Sequence, residues 1–168
     1  MDIIEVQTLD GIETELNDLL TECVESGASV GFLTPFGEHD AREYWQMVAR
    51  DLEDKSRKLF IAKTDAGIVG AVQLSVTHKP NGSHRGEVEK LMVHVNVRGQ
   101  GIGKLLLSRL ELTAKAMGRD LLVLDTRLGD VASELYRKVG YTEAGQIPNF
   151  ARSSSGQLEA TVYFYKQL

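Results

Sequence analysis

Apolar residues recur along the chain with two different spacings, and the alternation of these spacings predicts a mixed α/β fold. Apolar positions three and four residues apart, typical of amphipathic helices, occur in four segments. These are a helix capped by Asp10 that runs to about Ser26, a helix from Ala41 to about Asp54, a helix from Ile102 to Met117, and a short helix capped by Asp130. Short apolar and β-branched runs, typical of buried strands, lie at Ile3–Val6, Lys58–Lys63, Ile68–Thr77, Val88–Val95, Leu121–Leu124, Tyr141–Gly145 and Thr161–Tyr165.

The segments between these elements predict how the strands pair. Asp65-Ala66-Gly67 and Asn81-Gly82 are typical of tight turns, so the strands on either side of them are expected to form an antiparallel meander. A strand, a helix and a strand follow one another from Val88 to Leu124, which predicts a parallel pair with a right-handed crossover. We therefore predict one domain, residues 1–168, with a mixed, mostly antiparallel twisted sheet flanked by about four helices.

The helical spacing also predicts which side chains face the core. The buried stripes of the three long helices are expected at Ile12, Leu16, Leu19, Leu20 and Cys23; at Tyr44, Met47, Val48 and Leu52; and at Ile102, Leu105, Leu106, Leu110, Ala114 and Met117. Trp45 lies off the second stripe, so it either packs in the ordinary way or covers the preceding loop. That loop, Ala28–Gly37, carries Phe32 and Phe36, which either line a ligand site or pin the loop to the core. Pro148 is expected to end the strand before it.

Composition and charge narrow the functional classes. The chain has 168 residues, of which 42% are hydrophobic and 26% charged, and it contains no apolar run long enough to cross a bilayer. Its formal net charge of -5 argues against a nucleic-acid binder, which needs a basic face, and favours a cationic substrate. The single cysteine, Cys23, excludes an internal disulfide. Together with a first stretch that lacks the features of a signal peptide, it predicts a cytoplasmic protein.

The segment between the central strand and the longest apolar helix has the composition of a phosphate site. It reads Arg98-Gly99-Gln100-Gly101-Ile102-Gly103-Lys104. Glycines allow successive N–H groups to turn toward one anion, and the first helical turn adds unpaired N–H groups and about half a positive charge. Arg98 and Lys104 bracket the loop with formal charge. The spacing differs from the P-loop at two positions and from the dinucleotide fingerprint at one, and the site suits a pyrophosphate.

The pattern Arg-x-x-Gly-x-Gly after an apolar strand resembles the coenzyme A pyrophosphate loop of the GCN5-related N-acetyltransferases (GNAT). A second segment, Ala132–Tyr141 (ASELYRKVGY), is similar to the A-x-x-L-Y-x-x-x-G-[FY] segment of that superfamily. One position departs, because many members have Asn where this chain has Gly129. The resemblance covers nearly the whole chain and implies the GNAT acyl-CoA N-acyltransferase fold with acetyl-CoA as co-substrate. It assigns the coenzyme contacts to Met92, Val93, Arg98, Gly99, Gln100, Gly101, Ile102, Gly103 and Lys104.

A narrower resemblance is to the tabtoxin-resistance acetyltransferases. The similar pieces are Gly27–Phe32, Lys79–Gly82, Lys90–Val93, Leu124–Thr126 and Thr161–Lys166. Members of that branch acetylate an amine on a small β-lactam toxin derived from an amino acid, and their catalytic aspartate and tyrosine correspond here to Asp125 and Tyr136. The resemblance therefore implies an amino-acid-like or β-lactam acceptor and a role in toxin or antibiotic resistance.

Acetylation of an amine requires a group that removes a proton. An aliphatic amine has a pKa of about 10 and is protonated at neutral pH, and only its neutral form attacks a thioester. Asp125 ends an apolar run, where its carboxylate is suited to pair with the ammonium and accept the proton; the alternative is a turn aspartate bonded to backbone. Glu87 and Glu89, on one face of the central strand, are competing bases, and Glu89 is the next candidate if Asp125 only positions charge.

The other steps need an oxyanion donor and an acid. The resemblance implies that a backbone N–H near Met92 or Val93 stabilises the thioester oxygen. Tyr136 is suited to protonate the departing thiolate, unless it is only a helix residue buried against the sheet. Cys23 lies on an apolar helix face, which favours direct attack in a ternary complex over a covalent acyl-enzyme. The four histidines are scattered, with no Cys or paired carboxylate at ligand spacing, so no metal is expected.

These observations together predict an acetyl-CoA-dependent N-acetyltransferase that acts on the primary amine of a small molecule. Two other functions stay open, a non-catalytic acyl-CoA-binding module and a protein N-acetyltransferase. The apolar, aromatic segment from Val30 to Phe36 favours a small acceptor over an open groove for a peptide. Neither a nucleic-acid nor a membrane partner is expected, and the sequence is compatible with a monomer or a homodimer.

Overall fold

Seven strands and four helices make up the computed structural model, which describes every residue from Met1 to Leu168. The strands are β1 (Asp2–Val6), β2 (Arg57–Thr64), β3 (Gly67–Val76), β4 (Arg85–Val93), β5 (Leu121–Arg127), β6 (Thr142–Arg152) and β7 (Leu158–Gln167). The helices are α1 (Glu13–Glu25), α2 (Glu38–Glu53), α3 (Ile102–Ala116) and α4 (Val131–Lys138). The strands form one sheet in the order β1-β2-β3-β4-β5-β7-β6, antiparallel at every step except β4 to β5. The predicted mixed sheet and its parallel crossover through α3 are confirmed.

The two faces of the sheet are covered by different helices. Because successive side chains of a strand point to opposite faces, Leu59 and Ile61 of β2 join the core beneath α1 and α2. Phe60 and Ala62 join the core beneath α3 and α4. A side chain's position on its strand therefore decides which side of the molecule it reaches. None of the four helices is both long and apolar enough to cross a membrane.

The neighbouring strands β4 and β5 pair along only part of their length. Their pairing ends at Glu87, opposite Val123, and beyond this point the strands separate. A bulge lies in the separated part of β4, where Lys90 and Leu91 together face one residue of β3, and Lys90 has a left-handed φ of 51°. Such a backbone conformation costs a non-glycine residue roughly 1–2 kcal/mol. The separation opens a gap in the sheet, and the bulge lies along it.

The buried stripe of α3 differs from the predicted one. Leu105 and Met117, expected in the core, are 46% and 37% exposed, and Leu107 is buried instead. A helix turns by about 100° per residue, which places Leu105 opposite the stripe formed by Ile102, Leu106, Leu107, Leu110 and Ala114. Met117 follows the last residue of the helix and so escapes the stripe.

Two further predictions about the N-terminal helices were wrong. In α2, Met47 is exposed and Trp45 is buried, because the core stripe follows the i, i+3, i+4, i+7 spacing of Ala41, Tyr44, Trp45 and Val48. Trp45 therefore packs in the core of the α1 and α2 side. Asp10 does not cap α1, since the helix begins at Glu13 after Ile12, and no side chain caps it.

Strands β6 and β5 both continue beyond their predicted ends. Pro148 does not end β6, which continues to Arg152. This is tolerated because β6 is an edge strand, exposed along its whole length, and its pairing with β7 is irregular between Ile147 and Ala151. Asp125 lies inside β5 and does not end it. Its side chain is therefore held by strand geometry and not by a turn.

Candidate active site

The glycine-rich loop forms a row of unpaired N–H donors. A 3-10 turn at Val95–Val97 follows β4, and Gly99 and Gly101 then adopt left-handed φ values of 78° and 82°. The N–H groups of residues 99–104 donate to no acceptor within the protein, because the first hydrogen bond that closes α3 runs from Leu105 to Gly101. These donors lie at the positive end of the helix dipole. The arrangement is suited to an anion, as the sequence predicts.

The third glycine of the loop has a packing role. A Cβ on Gly103 would lie 2.9 Å from Cδ2 of Leu135 in α4, closer than carbon atoms approach one another. Gly103 therefore lets α3 and α4 come into close contact. The two sequence segments that carry the family resemblance meet at this contact.

The two charges that bracket the loop are placed differently. Nε of Arg98 donates to the carbonyl oxygen of Val93 at the end of β4 (2.9 Å). Its Nη2 donates to Oγ of Ser26 at the end of α1 (3.0 Å). Lys104 is exposed and makes no hydrogen bond or ion pair within the protein. Arg98 thus connects the loop to α1, while Lys104 is the charge that remains available to a ligand.

The backbone of Val93 opens toward the gap between β4 and β5. The N–H of His94 donates to the carbonyl oxygen of Val69 on β3 (2.9 Å). Polar groups of consecutive strand residues point to opposite sides, and the Val93 carbonyl accordingly faces Arg98. The Val93 N–H shares that direction, away from β3. Met92 points the other way, since its carbonyl oxygen would lie 3.0 Å from a Cβ on Gly70 of β3.

On the α1 and α2 side of the sheet, charged residues gather next to the gap. We call Glu87, Glu89, Lys90, Asp125 and Tyr163 the polar cluster. The charges of Asp125 and Glu87 act on the pKa values of Lys90 and Tyr163, and those of Glu89 and Asp125 act on the pKa of Glu87, which indicates that these residues lie close together. Sequence reasoning selected only the carboxylates of this cluster.

Asp125 is held in place from the neighbouring strand. The Thr161 hydroxyl of β7 donates to Oδ2 of Asp125 (2.7 Å) and to the carbonyl oxygen of Thr126 (2.9 Å). Thr161 is only 2% exposed, so this contact is shielded from water. Tyr163 lies opposite Asp125 in the same ladder. One carboxylate oxygen of Asp125 is therefore oriented by the protein, while Oδ1 makes no hydrogen bond within it.

The two glutamates of β4 have different environments. Glu89 forms an ion pair with Nη1 of Arg57 (3.0 Å). Burial favours a higher pKa for Glu89, but the Ser75 hydroxyl and the Arg57 charge outweigh it and hold the pKa below its usual value. Glu87 has no such partner; partial burial and the charges of Glu89 and Asp125 raise its pKa. Glu89 thus forms an ion pair, whereas Glu87 has no ion-pair partner.

Arg57 is the centre of a network that the sequence did not reveal. Its Nη1 donates to Oε1 of Gln73 (2.6 Å) as well as to Glu89, and its Nε donates to Oδ2 of Asp51 (2.9 Å). The Tyr44 hydroxyl also donates to Oε1 of Gln73 (2.9 Å), and burial raises the pKa of Tyr44 to about 12. The one sign of this network in the sequence is a glutamine, Gln73, within the apolar run of β3; the structure shows it to be fully buried.

Phe32 of the connection between α1 and α2, together with Tyr44 of α2, lies over Lys90 of the polar cluster. Nζ of Lys90 lies 5.6 Å from the ring centroid of Phe32 and 5.6 Å from that of Tyr44. Phe32 in turn packs against Phe36, with ring centroids 4.9 Å apart, and both contact the core. A cavity of about 460 Å³ adjoins this roof and shares Phe32, Phe36 and Tyr44 as lining residues. The two aromatic residues therefore pin the loop and also line a cavity.

Tyr136 lies on the opposite side of the sheet. Its ring packs in the core between Tyr141 and Phe164, with centroid distances of 5.7 Å and 5.9 Å. Burial, assisted by the charges of Asp130 and Asp125, raises the pKa of Tyr136. The hydroxyl makes no hydrogen bond within the protein, yet it is not fully enclosed. Tyr136 thus keeps its proton at neutral pH and has a free donor.

Cys23 and His94 take structural positions, while His39, His78 and His84 are exposed. Cys23 is 1% exposed, and burial raises the pKa of its thiol. His94 pairs with Glu22 of α1 (3.3 Å), and its Nδ1 accepts from the N–H of Asn96. No group of three or more His, Cys, Asp or Glu side chains is arranged to hold a metal ion.

Comparison with known proteins gives consistent results. The family model for the acetyltransferase (GNAT) domain matches residues 55–143. The IAA acetyltransferase of Azospirillum brasilense is 27% identical over 135 residues, which cover 79% of this chain and 83% of that protein. Among solved structures, the ribosomal-protein-alanine N-acetyltransferase of Brucella melitensis has a TM-score of 0.84 at 21% identity, with full coverage of both chains. The yncA protein of Salmonella typhimurium, solved with its cofactor acetyl-CoA, has a TM-score of 0.80 at 16% identity and covers 100% of this chain and 95% of its own.

Proposed function

The chain belongs to the GNAT family of acetyltransferases, and on that premise we propose that it transfers an acetyl group from acetyl-CoA to the primary amine of a small molecule. The observation that carries the proposal is the gap between β4 and β5, with free N–H donors at one end and the polar cluster on one side. Direct attack of the amine on the thioester fits this arrangement, because a donor and an acceptor can meet across the gap. Burial of Cys23 supports the absence of an acyl-enzyme step.

The glycine-rich loop would hold the pyrophosphate of the coenzyme. The free N–H groups of residues 99–104 fit an anion of that size, and Lys104 adds a charge at the mouth of the loop. Arg98 contributes by fixing the loop against Val93 and Ser26. When bound there, acetyl-CoA supplies the thioester that the amine attacks.

Asp125 is the proposed acceptor of the amine's proton. Thr161 orients one of its oxygens, which leaves the other to meet the ammonium of the acceptor. Glu89, the competing base, is committed to Arg57, so we assign it the role of positioning the network around Gln73. Glu87 stands beside Asp125 with a raised pKa and is suited to share the proton.

The remaining two roles fall to Val93 and Tyr136. The Val93 N–H is directed into the gap and is the proposed donor to the thioester oxygen; one such donor is worth about 3 kcal/mol in other acyl-transfer sites. The Tyr136 hydroxyl, protonated and without a partner, is the proposed donor to the departing thiolate. Met92 is not the proposed oxyanion donor, since its backbone faces β3. Any contact that it makes with the coenzyme is expected to come from another part of the residue.

The covered polar cluster supports a small acceptor. Phe32 and Tyr44 lie over Lys90, and such a covered site suits a small molecule better than a peptide. The cavity of about 460 Å³ that shares these two rings is lined by none of the cluster's residues, so we do not assign it to the acceptor. An amino-acid-like or β-lactam toxin, implied by the resemblance to the tabtoxin-resistance branch, is the acceptor that we propose first.

The proposal is tested by incubating the protein with acetyl-CoA and a panel of small amines, while thiol release and the mass of the product are followed. We expect amine-dependent thiol release and a product heavier by one acetyl group, both lost in the Asp125→Asn variant. Acetylation confined to peptide N-termini or lysines would replace the proposal with a protein N-acetyltransferase. Binding of acetyl-CoA without turnover of any amine would indicate a non-catalytic module.

A further inference from the structure

One cation of the polar cluster has no anionic partner. Lys90 is half-buried, and its ammonium makes no ion pair or hydrogen bond with any group of the protein. It lies instead against the Phe32 and Tyr44 rings, which pack on each other with centroids 5.2 Å apart, and Nζ is 5.6 Å from each centroid. Gly31 also lies close to the ammonium, since a Cβ there would be 3.3 Å from Nζ of Lys90. Lysine side chains in such partly desolvated positions normally have a charged partner.

The other charges nearby do not fill that place. Arg57 is neutralised by Asp51 and Glu89 through ion pairs of 2.9 Å and 3.0 Å. Glu89, Asp125 and Glu87 influence Lys90 electrostatically, but none of them forms an ion pair with it, and Glu89 is already paired with Arg57. The Lys90 ammonium is therefore left to meet an anion, while Asp125 and Glu87 are left to meet a cation.

The backbone also holds Lys90 at this point. Lys90 is the bulge residue of β4 with its left-handed φ of 51°, and the bulge turns its side chain toward the connection between α1 and α2. The ammonium is therefore directed to the roof of the site, at the edge of the gap through which the thioester would be reached. Asp125 is close enough to act on Lys90 electrostatically, so one small acceptor can reach both side chains.

From this geometry we propose that Lys90 recognises an anionic group, most simply a carboxylate, carried by the same acceptor molecule whose amine is acetylated. The inference rests on the proposed function and adds to it the residue that selects the acceptor: Lys90 restricts it to a zwitterion, such as an amino acid, and excludes a diamine or a polyamine. The anion makes a charge-assisted hydrogen bond to Nζ of Lys90, while the ammonium faces Asp125 and Glu87. The two packed aromatic rings shield one side of the ammonium from water and strengthen this contact.

The test compares matched acceptors and matched variants. The acceptors are the standard amino acids, their carboxamides, which have nearly the same size without the negative charge, and 1,5-diaminopentane. The variants are Lys90→Met, which keeps the length of the side chain, and Lys115→Met, which removes an exposed lysine on the outer surface of α3 as a control. Thiol release gives kcat/KM for each pair, and calorimetry gives the affinity for acetyl-CoA.

We expect the best amino acid to be preferred over its carboxamide by about tenfold or more. Lys90→Met should lower kcat/KM for the acid by about 10- to 100-fold and leave the carboxamide within about twofold. Lys115→Met should change neither. The affinity for acetyl-CoA should be the same in all three proteins.

Two results overturn the inference while the proposed function stands: turnover confined to amines without an anionic group, or an equal loss for acid and carboxamide in Lys90→Met. If the wild-type protein does not bind acetyl-CoA at all, the proposed function itself has failed, and the inference with it. A wild-type protein that binds acetyl-CoA and acetylates no anionic amine in the panel also overturns the inference.

Discussion

The Thr161 hydroxyl offers a direct test of the part assigned to Asp125. In Thr161→Val the side chain keeps its shape and loses the donor that lies 2.7 Å from Oδ2 of Asp125. A hydrogen bond to a charged group contributes about 1.5–3 kcal/mol, and this one is shielded, because Thr161 is 2% exposed. Water can replace part of the contact on the half-buried Asp125. We therefore expect the free energy of unfolding to fall by about 1–2 kcal/mol.

The effect on catalysis should be larger than the effect on folding. If the bond fixes the carboxylate that receives the proton, its loss raises the barrier by about 1.4–2.8 kcal/mol, and kcat falls by about 10- to 100-fold. Thiol release under saturating acetyl-CoA and amine measures kcat, and urea denaturation measures the free energy of unfolding. Thr161→Ser, which retains the hydroxyl, is the matched control and should keep kcat within about threefold. A Thr161→Val protein with wild-type kcat, or an equal loss in both variants, would refute the reasoning.

Three further predictions concern other residues of the site. Tyr136→Phe should lower kcat by about 100-fold or more. The affinity for acetyl-CoA and the stability should not change, because the hydroxyl has no partner in the fold. Kinetics, calorimetry and thermal melting measure these three quantities, and a loss of stability together with a loss of kcat would contradict the assignment. Gly101→Ala should weaken acetyl-CoA binding and lower the free energy of unfolding by about 1 kcal/mol, since alanine is strained at the φ of 82°. An unchanged affinity for acetyl-CoA, measured by calorimetry, would contradict the role of the loop. The folded state lowers the pKa of Glu89, so this residue contributes stability that is fully present above its ordinary pKa of about 4.3 and is lost as the pH falls through the folded value. Glu89→Gln should therefore be less stable than wild type at pH 7 and show a shallower loss of stability on acidification, as measured by urea denaturation; parallel pH profiles for the two proteins would contradict the ion pair's contribution.

The elements that depend on local sequence were predictable. The row of free N–H groups at residues 99–104 follows from glycine spacing and a helix start, both of which are written in adjacent residues. The crossover from β4 through α3 to β5 follows from the order of apolar runs. The sequence also indicated that Asp125 lies next to the central strand, since it belongs to the strand that the crossover leads to.

The features that were missed depend on contacts between distant segments. The ion pairs of Arg57 and the position of Lys90 arise from the register of β2, β3 and β4, which no single segment reveals. The bulge at Lys90 shifts that register by one residue, and no turn residue announces it. The error at Leu105 has a different cause, because a helix rich in leucine offers more than one stripe, and only the packing against the sheet selects among them.

The chain's proposed use of acetyl-CoA is tested most directly by calorimetric titration of the purified protein with acetyl-CoA, with ATP and NAD as controls. We predict saturable binding of acetyl-CoA at one site and no binding of the two nucleotides. Absence of acetyl-CoA binding, or a preference for ATP or NAD, would contradict the account and leave the free donors of residues 99–104 without an explanation.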